Sequence, residues 1–362
     1  MARGKQIACF WLRLVCFALI LALALSYGAY VLTPKHDYGI CSMMNLYRQP
    51  DNSIDVLAVG TSLAYAGINT NVLWEEYGIA AYNLCSAEQP FWVSYYTLRE
   101  ALKTQRPKVI LLDAKPAIYT SDYSKRGRTI LSTYGIRGVE NRIGAILACV
   151  ETPRDALSYI LGLPEVHSNY QKLTAADFAL PPDNGGRGIS WKGYIETDAT
   201  EYHQRPSLVW NTVRHRLNAR EEAYARQIFE LASSEGIPLL LVGMPNPDYA
   251  NDHMYYNALW SLAEEYGISG INYNDPSLRF GLRFSSDFAD WQHLNVKGSI
   301  TFSRRLGEDL KKRFDLPDHR GDRYYSSYDL CAENWAAQYP FFESADQNQN
   351  PLNWFTAENR KE

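Results

Sequence analysis

The sequence predicts an α/β protein in which one membrane-spanning helix precedes a doubly wound parallel sheet that carries a long insertion. Short apolar runs typical of buried strands alternate with stretches of helical periodicity, which indicates a parallel sheet covered by helices on both faces. Residues 14–32 are uncharged and mostly apolar, as in a membrane-spanning helix. Residues 114–206 interrupt the alternation of strands and helices, and they form the predicted insertion.

The composition excludes two broad classes of protein. Of the 362 residues, 46% are hydrophobic and 21% are charged, which is ordinary for a globular chain and excludes a largely disordered one. The formal net charge is -4, so the chain has no overall positive field to attract phosphates. We therefore expect no nucleic-acid partner.

The N-terminal apolar run determines the predicted location of the rest of the chain. At about 1.5 Å per residue, residues 14–32 span about 28 Å, close to the hydrocarbon thickness of about 30 Å. Three basic residues lie among residues 1–13, which favours a cytoplasmic N-terminus. We expect a single-pass signal-anchor in the cell membrane, then a linker at 33–53 and an extracytoplasmic remainder. A cleaved signal peptide is the alternative, because small residues alternate with leucines late in the run.

The predicted α/β domain covers residues 54–314. Its strands are predicted at 55–59, 80–84, 108–113, 238–243 and 271–274. Its longer helices are predicted at 91–104, 219–235, 251–266 and 296–314. Functional sites of such sheets lie at the carboxyl ends of the strands.

The insertion and the tail lie outside this alternation. An insertion that follows the carboxyl end of a strand is positioned to wall or cap a site, which is our expectation for 114–206. The aromatic-rich tail at 315–362 is predicted to pack along the domain as an irregular strap, and the alternative is that it presents aromatics to a glycan or partner. In the insertion, Trp191 and Tyr194 form either a sugar-stacking platform or a hydrophobic plug.

The cysteines leave two interpretations open. Four lie beyond the apolar run, where an oxidising compartment permits disulfides: Cys41, Cys85, Cys149 and Cys331. They allow three pairings, and four buried thiols are the alternative. Their spacing matches no zinc motif, and we predict no metal.

A serine follows the first predicted strand in the run Gly60-Thr61-Ser62. A serine just past a strand and at the start of a helix is exposed and lies beside unpaired backbone N–H groups, which are suited to stabilising an oxyanion. The alternative is that Thr61 or Ser62 is simply the N-cap of that helix.

A second motif, Asp290-Trp-Gln-His293-Leu-Asn-Val-Lys-Gly298, precedes the last helix of the domain. A nucleophilic serine needs a base, for which an imidazole is well suited, and the imidazole needs a carboxylate to fix its tautomer. Asp290 and His293 supply both groups from one loop. We expect Trp291 to shield this loop from water.

Taken together, these motifs resemble the SGNH/GDSL hydrolases, in the divergent membrane-anchored branch that includes DltD-like and alginate O-acetylation proteins. The resemblance covers residues 54–113 and 219–314. It implies a flavodoxin-like three-layer sandwich, with Ser62 as nucleophile, His293 as base and Asp290 as its partner. It also implies that the backbone N–H of Ser62 is one oxyanion donor.

The chain departs from this family's pattern around the oxyanion hole. No Gly follows the second strand, where the backbone N–H of Ser86 or Ala87 is the remaining donor. No Asn follows the third strand, where Lys115 either binds an anionic substrate or is a surface lysine. Asn246 follows the fourth strand, and the sequence leaves open whether it reaches the site.

The resemblance implies a serine esterase or O-acyltransferase, without a cofactor, that acts through an acyl-Ser62 intermediate. The predicted location suggests acylated envelope glycans or teichoic-acid-like polymers as substrates, and a multi-pass membrane O-acyltransferase as a partner. The missing Gly and Asn motivate a second hypothesis, in which a catalytically weak SGNH-like domain serves as a binding or scaffold subunit.

Overall fold

The computed structural model describes residues 2–339, apart from 36–37, 181–183, 187–188, 207–210 and 279. Residues 340–362 of the predicted tail therefore lie outside the described residues.

A five-stranded parallel sheet forms the centre of the protein. The strands of the chain are β1 (Val56–Gly60), β2 (Ala81–Cys85), β3 (Val109–Asp113), β4 (Asn184–Gly186), β5 (Ile189–Trp191), β6 (Leu239–Gly243) and β7 (Ser269–Asn272). The main sheet has the order β2–β1–β3–β6–β7, and β4 pairs with β5 in a separate antiparallel ribbon. The direction of winding reverses between β1 and β3, which is where doubly wound sheets bind their ligands.

Thirteen α-helices lie among the described residues. They are α1 (Ala2–Leu32), α2 (Tyr38–Leu46), α3 (Ser62–Gly67), α4 (Thr70–Tyr77), α5 (Phe91–Ala101), α6 (Arg126–Thr133), α7 (Val139–Cys149), α8 (Pro153–Leu161), α9 (Leu163–Val166), α10 (Ala219–Ser234), α11 (Tyr249–Glu265), α12 (Val296–Arg313) and α13 (Ser326–Gln338). Short 3₁₀ turns occur at Lys115–Ile118, His167–Lys172, Ala175–Phe178 and Arg323–Tyr325.

The core lies on both faces of the sheet, because successive strand residues point to opposite sides. Leu57 and Leu112 pack with the apolar residues of α5, α10 and α11 on one face. Ala58 and Leu111 pack with those of α3, α4 and α12 on the other. The predicted doubly wound fold is thus confirmed, with each strand displaced from its predicted bounds by no more than two residues at either end.

The N-terminal helix α1 is long and apolar enough between Gly4 and Leu32 to cross a membrane, with a mean hydropathy of 2.5 in its most apolar window. None of that window is buried against the rest of the protein. The C-terminal end of α1 contacts the insertion, since Leu32 O accepts a hydrogen bond from Asn169 Nδ2 at 2.9 Å. Residues 33–53, which the sequence predicts as a linker, contain α2, and the Met43 side chain of this helix is buried in the core.

The insertion has two parts with different neighbours. Its helices α6–α9 lie beside α1, α2 and α5. Its later part returns to the sheet, where Trp191 and Tyr194 are fully buried and make edge-to-face contacts with Trp335. The hydrophobic-plug interpretation of these two aromatics is therefore the correct one.

The described part of the tail packs along the domain, as expected for a strap, but it is not irregular. Residues 326–338 form α13, which packs against α4, and Trp335 on this helix is fully buried. The four cysteines that follow α1 in the chain are all buried, and no disulfide joins any two cysteines among the residues described.

Candidate active site

The turn that carries Ser62 begins where β1 ends. Gly60 has a φ of +159°, and a Cβ at this position would lie 2.3 Å from Cβ of Asp113, so only glycine fits. The side chain of Thr61 caps α3 by accepting a hydrogen bond from the N–H of Leu63 at 3.2 Å. Because Thr61 provides the cap, the Ser62 hydroxyl is not needed for it.

Asp113, at the end of β3, holds this turn in place. Its Oδ2 accepts hydrogen bonds from Thr61 Oγ1 at 2.5 Å and from the Thr61 N–H at 3.0 Å. Its Oδ1 accepts a third from the Lys115 N–H at 2.9 Å. Burial raises the pKa of Asp113, and the hydrogen bonds from Thr61 and Lys115 oppose that rise. Asp113 was not among the site residues predicted from the sequence, although an acidic residue ending the neighbouring strand was a signal for it.

The loop that carries Asp290 and His293 is closed on itself. Phe288 and Leu294 form a β-bridge, and the N–H of Ala289 donates to His293 O at 2.8 Å. The Asp290 carboxylate accepts hydrogen bonds from two backbone N–H groups within this loop, those of Gln292 and His293. Both functional side chains therefore project from a short, internally bonded turn.

The first turn of α12 supports this loop. Asn295 is its N-cap, is fully buried, and donates from Nδ2 to Ser286 O at 2.8 Å. Gly298 lies directly beneath the loop, since a Cβ there would lie 2.1 Å from Asp287 O. The Asn-x-x-Gly spacing after His293 therefore has a structural cause. The later part of the insertion also braces the loop, because the N–H of Glu201 donates to Phe288 O at 2.9 Å.

The structure brings Ser62, His293 and Asp290 together, although Ser62 and His293 are 231 positions apart. His293 Nδ1 lies 2.8 Å from Asp290 Oδ2, and His293 Nε2 lies 2.7 Å from Ser62 Oγ. Since a carboxylate only accepts hydrogen bonds, Nδ1 carries the ring proton and Nε2 accepts from the Ser62 hydroxyl. The arrangement is that of a nucleophile, a base and the group that orients the base.

Ser62 is more buried than the sequence predicts, whereas His293 and Asp290 are partly open to solvent and Asp290 is ionised. Ser62 is 7% exposed, and the side chains of His293 and Asp290 are 19% and 39% exposed. Burial raises the pKa of Asp290, but the hydrogen bonds from Gln292 and His293 outweigh burial and hold it below its ordinary value. The carboxylate is therefore charged over the pH range in which histidine acts as a base.

Of the two alternatives for the second oxyanion donor, only one is available. The Ser86 N–H donates to Gly60 O at 3.1 Å, and the Ser86 hydroxyl donates to Gln89 Oε1 at 3.0 Å. Within the described residues, the N–H groups of Ser62 and Ala87 have no acceptor. Gly60 and Cys85 are paired in the sheet, and Ser62 and Ala87 each follow two residues later, so Ala87 leaves the sheet beside Ser62.

Lys115 and Asn246 both bind Asp252 rather than approaching Ser62. Lys115 Nζ donates to Asp252 Oδ2 at 2.6 Å, with both side chains 6% exposed, so the surface-lysine expectation is wrong. The ion pair also neutralises the charge that the anionic-substrate alternative needs. Asn246 is fully buried and donates from Nδ2 to the same oxygen at 3.2 Å. The sequence does not reveal this cluster, because it depends on where α11 places Asp252.

Trp291 does not shield the loop, because its side chain is 54% exposed. It projects into solvent two residues before His293 and leaves the loop open beside the reactive groups. Among the described residues, no group of three or more His, Cys, Asp or Glu side chains is arranged to hold a metal ion.

Comparisons with known proteins add little to this geometry. No family model matches the chain, and no curated protein matches its sequence. Among solved structures, it is similar to a protein from Bacteroides fragilis NCTC 9343 described as a "putative acylhydrolase". The identity is 11% and the TM-score 0.35, with 73% of this chain and 90% of that chain covered. So remote a likeness carries no weight for function.

Proposed function

We propose that this protein is an SGNH-type serine esterase or O-acyltransferase, anchored by α1 and facing out of the cell. The observation that carries the proposal is the 2.7 Å contact between Ser62 Oγ and His293 Nε2, together with the Asp290 carboxylate on the opposite ring nitrogen. Hydrogen bonding between nucleophile, base and orienting acid is what acyl transfer through a serine requires.

In the proposed reaction, Ser62 Oγ attacks the carbonyl carbon of an ester while His293 Nε2 takes the hydroxyl proton. The carbonyl oxygen becomes an oxyanion, which the N–H groups of Ser62 and Ala87 stabilise. His293 then protonates the departing alcohol oxygen as its bond to the acyl carbon breaks, leaving an acyl group on Ser62. Water or a second hydroxyl, deprotonated by His293, attacks that acyl group and releases Ser62.

The substrate proposal follows from location. An anchored domain outside the membrane meets envelope polymers, so we propose acyl esters of a cell-envelope glycan or a teichoic-acid-like polymer. The resemblance to DltD-like and alginate O-acetylation proteins supports this substrate class, and it supports a multi-pass membrane O-acyltransferase as partner. The exposed Trp291 beside His293 offers a sugar ring an apolar face.

The test is to follow acyl groups on the full-length protein in detergent. An O-acetylated polysaccharide is supplied with and without an acceptor glycan, and the Ser62 peptide is examined by mass spectrometry after rapid acid quenching. We expect an acetylated Ser62 peptide, with release of acetate or acetylation of the acceptor. Ser62→Ala serves as the control and forms none of these products.

A second candidate function is a binding or scaffold subunit. It is favoured by the missing Gly and Asn and by the engagement of the Ser86 N–H with Gly60 O, which together leave the oxyanion hole with backbone donors only. A well-folded protein that binds the polysaccharide but never acquires an acetyl group on Ser62 would support this candidate and refute the first.

A further inference from the structure

A cavity of about 350 Å³ lies where the outer end of α1 meets the insertion. Ser26 and Tyr30 of α1 form one wall, and Tyr134, Arg142 and Leu161 from the insertion lie on the other. It is distinct from the site around Ser62, since none of its lining residues belongs to the catalytic loops. Its size falls in the range of small-molecule sites.

The cavity carries positive charge without a compensating acid. Arg137 and Arg142 line it, and no Asp or Glu is among its described lining residues. Each guanidinium lies over a tyrosine ring, Arg142 over Tyr134 at 5.0 Å and Arg137 over Tyr47 at 4.5 Å. These rings orient the arginines but leave their N–H donors free for an anion.

Two buried polar atoms in the same wall lack a partner. Arg142 Nε and Tyr134 Oη are both buried, and neither has a hydrogen-bond partner within the described part of the chain. An unpaired buried donor costs about 1–3 kcal/mol. Because both atoms have almost no accessible surface, a ligand with several acceptor oxygens, such as a phosphate, would satisfy them only after a small side-chain rotation toward the cavity.

The position of the cavity indicates which class of phosphate compound it binds. One wall runs from Ser26 to Thr33, across the end of α1 and of the apolar run, which the proposed anchoring places at the level of lipid headgroups. Leu161 lines the cavity and is itself exposed, and Leu157, one turn earlier on α8, is exposed as well. An apolar rim next to an apolar helix suits acyl chains and does not suit a freely dissolved anion.

We propose that this cavity binds the headgroup phosphate of an anionic phospholipid. Arg142 and Tyr134 donate to the phosphate, Arg137 adds charge at the mouth, and the acyl chains lie along α1 and Leu161. The bound lipid fixes the insertion against the membrane surface and so sets the orientation of the domain above it. This inference rests on the membrane anchoring in the proposed function and is independent of Ser62 chemistry.

The test uses native mass spectrometry of the delipidated full-length protein in detergent. Phosphatidylglycerol and phosphatidylcholine with identical acyl chains are titrated against the parent, Arg142→Gln and Arg137→Gln. Arg216→Gln is the matched control, since Arg216 is exposed and does not line the cavity. Circular dichroism establishes that each variant is folded.

We expect the parent to prefer phosphatidylglycerol and Arg142→Gln to lose about 10-fold in affinity for it, with a smaller loss for Arg137→Gln and none for Arg216→Gln. Equal binding of both lipids, or unchanged binding by both cavity variants, would overturn the proposal. Displacement of the lipid by excess inorganic phosphate would also overturn it, by assigning the cavity to a free anion. Ser62→Ala retains lipid binding whatever its catalytic role, and carbonate extraction of membranes tests the anchoring separately.

Discussion

Replacing Gly298 by alanine tests whether the loop above α12 sets the geometry of the reactive groups. The new Cβ would lie 2.1 Å from Asp287 O, whereas ordinary carbon–oxygen contacts are about 3.3 Å or longer. Both sides of this contact are backbone, so no side-chain rotation relieves it, and the loop must move by about 1 Å. Since His293 lies on that loop and 2.7 Å from Ser62, the same movement stretches their hydrogen bond. A misplacement of this size costs about 100-fold in rate.

The stability effect of Gly298→Ala combines two opposing terms. Overpacking lowers the free energy of unfolding by about 1–3 kcal/mol, and the higher helix propensity of alanine raises it by about 1 kcal/mol. We therefore expect a net loss of about 1 kcal/mol in the free energy of unfolding. Gly127 in α6 is the matched control, because nothing lies within 4 Å of a Cβ placed there. Gly127→Ala should stabilise the protein by about 0.5–1 kcal/mol without affecting activity.

The assay compares ester hydrolysis, expressed as kcat/KM, and denaturant unfolding for the parent and both glycine variants. The reasoning is refuted if Gly298→Ala is as active as the parent and is stabilised as much as Gly127→Ala.

Three further changes test other contacts. Asp290→Asn should lower kcat/KM by about 10³–10⁴-fold by disfavouring the working tautomer of His293, and activity within 10-fold of the parent would contradict that role. The pKa of Asp290 is lowered in the folded protein, so the stability that its carboxylate provides is fully present above the unfolded pKa of about 3.9 and declines below it. Unfolding of the parent and of Asp290→Asn is therefore measured against pH. The difference between their free energies of unfolding should be constant from about pH 5 to 8 and should shrink on further acidification. Lys115→Met should lower the free energy of unfolding by about 3–5 kcal/mol, because it leaves Asp252 buried without its cation. Adding Asp252→Asn to this variant should recover part of the loss, and no recovery would contradict the pairing. Thr61→Val should cost about 1–3 kcal/mol and slow hydrolysis, because Asp113 loses a donor and α3 its cap, and a neutral effect in denaturant unfolding would count against this role.

The sequence predicted the sheet because its strands are short and apolar on both faces, a pattern that few other architectures produce. It predicted the Ser62–His293 contact only through the resemblance to SGNH hydrolases, since nothing local relates residues so far apart. The short helix α2 was missed because nine residues close to a long apolar helix carry little periodicity.

Contacts between strand ends depend on which strands are neighbours, and the alternation of strands and helices does not specify that order. Asp113 holds Thr61 only because β3 lies beside β1, and Lys115 is buried only because α11 brings Asp252 over it. Similarly, the expectation for Trp291 failed because an aromatic side chain in a tight, self-bonded loop has no interior to enter. For Asp113 and Lys115, the missing information was which elements are neighbours.

The most direct test of the central claim is labelling of the full-length protein by a fluorophosphonate, which reacts only with an activated serine. The parent should label at Ser62, Ser62→Ala should not label, and His293→Ala should label at least about 100-fold more slowly. Ser234→Ala, which changes an exposed serine at the end of α10, should label like the parent. A folded parent that does not label, or undiminished labelling of Ser62→Ala, would contradict the account.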